Sequence, residues 1–568
     1  VRDEPDELTA TERRLYAAFA RGELLDLRGD NHDINHDINH VINDDINNAT
    51  TDNPDLGPER VIRANVLAHL LLTGGDPAPV SPADAAPAPA PALRLAGARI
   101  EGQLRLDYAE IPYRITLRDC HFPDRVSLHS ARTRNISLRD CTFVYLQATN
   151  ADVDGDLRLC GCRFTGSHPT GMLRLDSAHI NGVLDLERAQ LVSTDPQHPA
   201  LAANRIHVED HIWLRSGFSC DGEIVLRGAQ IGGDLDFSDA RLRNPGRWAL
   251  AASRMRVEGD IIGRGLHTEG EFRIPGTTVS GDVRLRSAQF RTPGGTALRA
   301  YGLDVAGGLQ LSGGVRAEGR IALTNVRVGG VLDLNGALLY APGGTALRMR
   351  QTQARETDLR TVQSPTGQVD LRHASLGVIR DDPAAWPTDQ LLDGLRYDRF
   401  DVPLPARRRL DWLARDQSGY TPQSYEQLAL AYRSLGHEDE ARTVLLAKER
   451  ARHRTLPWPA RAWGALQDVT VGYGYRPTRA ALWLLALLGL GSTVFAARPP
   501  TPDEPHTTLV FNSLVFTLDH LLPVISFGQG DAFTPTPGTQ WLAYVLTATG
   551  WLLATTIATG ISRSVSRT

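Results

Sequence analysis

Between residues 93 and 378 the chain repeats one short phrase, a glycine followed by apolar residues at every second position. It occurs as Gly102-Gln103-Leu104-Arg105-Leu106, Gly155-Asp156-Leu157-Arg158-Leu159, Gly182-Val183-Leu184-Asp185-Leu186, Gly281-Asp282-Val283-Arg284-Leu285, Gly330-Val331-Leu332-Asp333-Leu334 and Gly367-Gln368-Val369-Asp370-Leu371. Such alternation predicts strands with one buried face. Gly259, Gly270 and Gly281 are eleven apart, as are Gly171 and Gly182, Gly222 and Gly233, and Gly319 and Gly330. A longer period overlies this one: Gly233, Gly281 and Gly330 are 48 and 49 apart, and each is followed seventeen residues later by a leucine, Leu250, Leu298 or Leu347. Short periodic strands without helices between them predict a β-solenoid. Two eleven-residue phrases make about one coil of a right-handed parallel β-helix, with inward Leu, Ile, Val and Phe stacked from coil to coil.

Small residues recur two or three positions past the phrase, as in Ala109, Ala178, Ala189, Ala229, Ala240 and Ala288. In these positions the stretch resembles pentapeptide-repeat and related β-helix proteins, although the strict five-residue pattern is absent. Outward positions carry Arg105, Arg158, Arg174, Asp185, Asp236, Arg284 and Asp333, a charged face that discourages edge-to-edge association and offers a binding surface along the solenoid.

Helical patterns flank this body. Thr9-Ala10-Thr11-Glu12 has capping-box spacing and opens a short amphipathic helix over 12–20; a second helix is expected over 58–72. Between them lies a four-residue repeat, His32-Asp33-Ile34-Asn35 and its successors to Asn47, read as a disordered insertion. On a helix His32, His36 and His40 would share a face and hold a divalent metal, but Asn and Asp are poor helix formers. After Val378 the residues Tyr425, Leu428, Ala429, Tyr432, Gly436, Ala441 and Leu445 resemble one tetratricopeptide repeat, expected to cap the solenoid.

Two apolar runs near the C-terminus, 480–497 and 541–562, have the length of membrane-crossing helices. A third, 509–528, is interrupted by Asp519, His520 and Pro523 and is expected to be re-entrant or interfacial. Arginines precede the first run and follow the second, while Asp503, Glu504 and Asp531 lie between, which places both ends on the cytoplasmic side. Trp458, Trp463 and Trp541 sit where belt residues would.

Composition narrows the partners. With 61 basic against 66 acidic residues the net charge is −5, and no basic stripe is present, so nucleic acid is not an expected partner. Positive charge is almost all Arg, Lys448 being the single lysine. Cys120, Cys141, Cys160, Cys162 and Cys220 have no neighbouring histidines at zinc spacing and fit small buried thiols. No apolar segment follows Val1-Arg2-Asp3-Glu4, so no cleavable export signal is expected and the β-helix is placed in the cytoplasm.

The candidate chemistry is sparse. Thr470-Val471-Gly472-Tyr473-Gly474 matches a potassium selectivity filter, but it precedes the first apolar run, where no pore helix leads into it. The order of run, dipping helix over 511–522, loop over 523–537 and second run is that of a two-span pore-loop subunit. Its candidate pore or re-entrant residues are Asp519, His520, Pro523, Ser526, Gly528, Gln529, Gly530 and Asp531. On the β-helix His207, Asp210 and His211 are candidates for a hydrolytic or lyase site. No phosphate loop, dinucleotide fingerprint, nucleophile elbow or His-Glu metal motif is found, and no cofactor is expected.

As a whole the chain resembles an actinobacterial family of membrane-anchored β-helix proteins, often labelled membrane-associated oxidoreductases. The matching segments are Glu12-Arg13-Arg14-Leu15, Val61-Ile62-Arg63-Ala64, Leu93-Arg94-Leu95-Ala96-Gly97-Ala98 and Gly472-Tyr473-Gly474-Tyr475-Arg476-Pro477 onward. The resemblance implies redox chemistry, whereas the residues carry no flavin, nicotinamide, haem or iron–sulfur signature.

The expected fold is mainly β: a right-handed parallel β-helix with N-terminal helices, a C-terminal helical hairpin and a two-span α-helical membrane domain. Its parts are a helical segment at 1–76 with an insertion at 30–57, a linker at 77–92, the β-helix at 93–380, a helical cap at 381–456 and the membrane domain at 457–568. The expected function is a binding or scaffold module at the inner face of the plasma membrane, its partners the lipid bilayer and a cytoplasmic protein or ligand. The alternatives are a homo-oligomeric pore-loop channel and the oxidoreductase that the family label implies.

Overall fold

The computed structural model describes residues 8–28, 57–74, 90–458, 461, 477–503, 510–522 and 525–565. The His-Asp-Ile-Asn tract, most of the linker, the 470–474 match and Pro523 lie outside them. The chain forms two compact units, Val1–Val402 with Arg415–Gln417, and Pro403–Ala414 with Ser418–Thr568.

The first unit is a parallel β-solenoid of the right-handed type with about 13 turns. Alternating apolar residues make short strands, and each strand pairs in parallel with its counterpart one coil on. Four ladders result. Ile180, Val208, Ile231, Val257, Val279 and Val305 align along one, and Leu184, Ile212, Leu235, Ile261, Val283 and Leu309 along the next. The third begins with Phe122, Phe143 and Phe164, whose rings stack 4.8 and 5.1 Å apart. The fourth runs through Leu201, Ile224, Leu250, Phe272, Leu298, Ile321 and Leu347. All of these side chains are buried, so the core is a set of aliphatic and aromatic columns.

The corners explain the alanine rhythm. Tyr108, Ser177, Arg188, Gly228, Asp239 and Ser287 adopt positive φ, and the next residue in each case is one of the alanines 109, 178, 189, 229, 240 and 288, turned inward and buried. A left-handed residue bends the chain sharply, leaving little room for the inward side chain that follows. Cys120, Cys141 and Cys162 occupy the same place after Asp119, Asp140 and Gly161. Contact with the thiol of Cys141, together with burial, pushes the Cys120 thiol well above its ordinary range. Cys160 departs from the expected burial: it is half-buried, and its thiol lies 3.1 Å from the Asp185 carboxylate. Burial, with Asp185 beside it, pushes Cys160 up to about 12, so neither Cys120 nor Cys160 is poised to act as a nucleophile.

The 48–49 residue period has a structural cause. The strands Arg241–Ala251, Gln289–Arg299 and Leu338–Arg348 are each longer than their partners, and register slips between Arg243 and Trp248, between Arg291 and Thr296, and between Tyr340 and Thr345. The inserted Pro-Gly segments occur on alternate coils, so the true repeat is a pair of coils.

Short segments extend the ladders at both ends. Leu25–Asp26 pairs with Leu95 and Ala96, and Val61–Arg63 with Arg99–Glu101. The second helix therefore starts at Ala64 rather than at 58, because β-branched Val61 and Ile62 extend the ladder. At the other end Arg415–Gln417 returns along Gln390, with Gln390 N–H donating to Arg415 O and Gln417 N–H to Gln390 O.

Helix Ala10–Ala20 is anchored by Glu12. Thr9 and Glu12 form a reciprocal capping box, and the Glu12 carboxylate accepts from the Arg63 guanidinium at 2.7 Å. Its side chain is fully buried. Burial raises this carboxyl, but hydrogen bonds from Arg63 and Thr9 outweigh it and hold Glu12 at about 2 against an ordinary 4.5.

In the second unit, helices Pro422–Ser434 and Glu438–Arg454 form an antiparallel hairpin turning at Gly436 (φ 79°). Leu428, Ala429, Tyr432, Ala441 and Leu445 are buried between them. Further on, helices Pro477–Ala497, Ser513–Leu521 and Gln540–Val565 pack around Phe495, Phe516, Leu521, Ala543 and Leu546. Gly550 permits close approach there, because an added Cβ would run into the Leu521 backbone.

One part of the expected fold is corrected. Among the described residues no helix is long and apolar enough to cross a membrane, which corrects the expectation of a two-span membrane domain over 457–568. A span needs about 20 predominantly apolar residues. Gly489, Gly491, Ser492 and Thr493 lie within the run at 480–497, and Thr547, Thr549, Gly550, Thr555, Thr556 and Thr559 within that at 541–562. The segment 509–528, expected to be re-entrant, contains a helix of only nine residues.

Two outcomes follow. Replacing Leu235, at the centre of its column, with Ala should cost about 2–5 kcal/mol, read as a lower denaturation midpoint of the solenoid. The folded-state pKa of Glu12 is depressed, so its stabilisation is complete above pH 4.5 and lost as pH falls towards 2. The shift corresponds to about 3 kcal/mol, and Glu12→Gln should remove the acid dependence of amide exchange in Ala10–Ala20.

Candidate functional site

The candidate pore residues form a pinned loop in the second unit. The Asp519 carboxylate accepts from the backbone N–H groups of Phe527 at 2.5 Å, Gln529 at 2.8 Å and Gly530 at 2.8 Å. His520 donates through Nδ1 to the Phe516 carbonyl at 2.9 Å, and its ring lies 4.6 Å from that of Phe516. Ser526 accepts from Gly528 N–H, and Gly528, at φ 83°, begins the short helix Gln529–Ala532. Buried Gln529 donates to the Val510 carbonyl and accepts from Asn512 N–H. Asp531 points to solvent. Asp519 and Gln529 thus spend their polar groups on the main chain of their own loop.

On the solenoid, the residues His207, Asp210 and His211 divide. His211 is satisfied locally, with Nδ1 accepting from Asp234 N–H at 2.8 Å and Nε2 lying 2.9 Å from Asp210. His207 instead meets His179, its partner one coil back. Their rings stack 4.7 Å apart with planes 4° from parallel. Glu209 Oε1 lies 2.8 Å from His207 Nε2 and 3.9 Å from His179 Nε2.

The larger concavity lies at the adjoining corner. An open groove of about 700 Å³ is lined by Arg174, Arg205, Arg227 and Arg254 with Asp176 and Asn204. Asp176 accepts from Arg174 at 2.8 Å and from Asn204 through both its backbone and side-chain nitrogens. Arg227 lies 3.4 Å from Glu223. Arg205 and Arg254 are exposed and, among the described residues, have no carboxylate partner. Ser177, Arg205, Gly228 and Arg254 are the positive-φ residues of four successive coils, linked by N–H to C=O bonds from each coil to the next. Gly228 thus stands between the two unpaired arginines and contributes no side chain to separate them. Four guanidinium groups thus meet two carboxylates, Asp176 and Glu223, an excess of positive charge that favours an anion.

A smaller hollow of about 190 Å³ adjoins it, lined by Arg227, Trp248 and Arg273. Arg273 lies over the Trp248 ring at 4.0 Å.

Sequence reasoning named His207 and Arg174 but missed His179, Arg205, Arg227 and Arg254. The pairs His179/His207 and Asp176/Asn204 are 28 residues apart, whereas His207 meets Gln230 after 23. Coil length varies, so counting along the chain does not align them. The left-handed φ of Arg205 and Arg254 is a property of the folded corner, which no residue pattern along the chain announces.

No family model, no curated protein and no solved structure matches the chain. The geometry alone carries the functional reading.

Replacing Asp519 with Ala strands three backbone donors and should destabilise the second unit by about 2–4 kcal/mol. Asp519→Asn, which keeps one acceptor oxygen, should lose less; the two denaturation midpoints measured side by side check this order.

Proposed function

We propose that the protein is a binding module whose rigid β-solenoid receives an anionic ligand in the arginine-lined groove. The observation that carries this reading is the pair Arg205 and Arg254, exposed and without carboxylate partners, in a groove where four arginines meet one aspartate. Neighbouring coils are separated by about 4.8 Å, so these two corners repeat at roughly 9.6 Å along the solenoid. A fixed spacing suits an extended ligand with carboxylate, sulfate or phosphate groups at regular intervals. The groove volume lies within the range of ligand sites, and Thr149, Asn150, Ser177 and Asn204 supply neutral hydrogen-bonding groups around the cations.

The solenoid itself suits such a role. Each corner is held by main-chain bonds to the coils on both sides, so the cations are presented with little reorganisation on binding.

Fluorescently labelled dextran sulfate, with neutral dextran as control, tests the reading by anisotropy. The wild-type chain should bind the sulfated polymer alone, with affinity falling as salt rises. Arg205→Glu with Arg254→Glu should weaken binding at least tenfold and flatten the salt dependence, while Arg396→Glu, on a distant coil, should leave it unchanged. Equal binding by the doubly reversed chain would remove the groove from the account.

A further inference from the structure

We infer that His179, His207 and Glu209 form a binding site for a divalent transition-metal ion of the zinc class. The three residues offer one ligand atom each, and these atoms lie within 4.8 Å of one another. Two imidazoles and a carboxylate are a ligand set that zinc, nickel and copper share, and that calcium and magnesium, which prefer oxygen, do not.

The ladder provides the geometry. Cα pairing of His179 with His207 sets the rings parallel, and Glu209 Oε1 reaches the Nε2 edge of both. Both donor edges therefore open on the same side. Zinc takes nitrogen ligands at about 2.0–2.1 Å, which sets ligand atoms about 3.3 Å apart in a tetrahedron, so the parallel rings must tilt towards one another and His179 draw in, while His207 and Glu209 part slightly. The side chains are free to do this, since His179, His207 and Glu209 are all partly exposed. A tetrahedral ion held by three protein ligands keeps a fourth position for water or an exogenous ligand.

The outward column around the pair supports the same conclusion. Its neighbouring coils present Glu110, Arg132 and Asp152 on one side and Gln230 and Arg256 on the other. Charges of opposite sign follow one another up to Asp152, as cross-strand pairing favours. At His179 and His207 two imidazoles stand directly opposite, with one carboxylate placed against both. A bound cation makes the three groups shared ligands. The inference does not depend on the reading of the arginine groove, which uses different side chains.

The test uses the full chain stripped with a chelator and carrying His32→Ala, His36→Ala and His40→Ala, so that the histidine-rich tract adds no metal of its own. Zinc chloride titrated by calorimetry should bind one ion per chain. Nickel should compete with it, and magnesium should not. Adding His179→Ala or His207→Ala should weaken binding at least tenfold, and Glu209→Gln should weaken it measurably. His211→Ala should leave zinc affinity unchanged. Circular dichroism and the thermal midpoint of each apo variant should match the parent, since all three ligands lie on the surface. Absence of stoichiometric zinc binding overturns the site, as does unchanged affinity in the His179→Ala, His207→Ala double variant. Loss of arginine-groove binding with zinc binding intact would count against the groove alone.

Discussion

The main-chain hydrogen bonds that hold each coil to the next are the constraint on which the solenoid depends. They set neighbouring strands about 4.8 Å apart and fix which residue stands over which. Once that register is set, an inward Ile can only meet the Val or Ile of the next coil, as along the column from Ile180 to Val305. The same bonds arrange the outer surface, because every inward residue is flanked by an outward one. His179 over His207, and Arg205 two coils from Arg254, are consequences of a ladder whose energetic purpose is to bury leucines and valines.

The corners complement the ladders. A positive-φ residue followed by a buried Ala or Cys lets the chain turn through a tight angle while keeping the interior filled. Extra residues are absorbed in one ladder, on alternate coils, where register slips around Pro245, Pro293 and Pro342 and then resumes at Leu250, Leu298 and Leu347. Smaller slips occur elsewhere, between Arg134 and Ile136 and between Val328 and Val331, and pairing resumes after each. The solenoid thus tolerates variable coil length without losing its core, and the groove forms at a corner where coils of different length succeed one another.

The second unit follows another logic. Its apolar side chains converge on Phe495, Phe516 and Leu546, and its polar loop is held by one carboxylate and one amide, Asp519 and Gln529. Ionisable residues within an apolar stretch look like functional ligands in a one-dimensional reading. Here their partners are backbone groups of the same loop, and they serve as local organisers of the chain.

The amino-acid sequence by itself determined the solenoid. Period-two alternation, glycine spacing and recurrent alanines are local signals, and each coil needs only its nearest neighbours to bury its core. The capping box at Thr9 and Glu12 was legible for the same reason, since its partners lie three residues apart. Only the tertiary structure decided what stands beside what. The coil between His179 and His207 is longer than the one that follows, so register cannot be counted from one glycine to the next. The apolar C-terminal runs looked long enough to span a bilayer when judged by length, whereas among the described residues no helix qualifies, and side chains of these helices gather around a core of their own. Pairing of distant residues is a property of the folded ladder, and both candidate sites on this protein are made of such pairs.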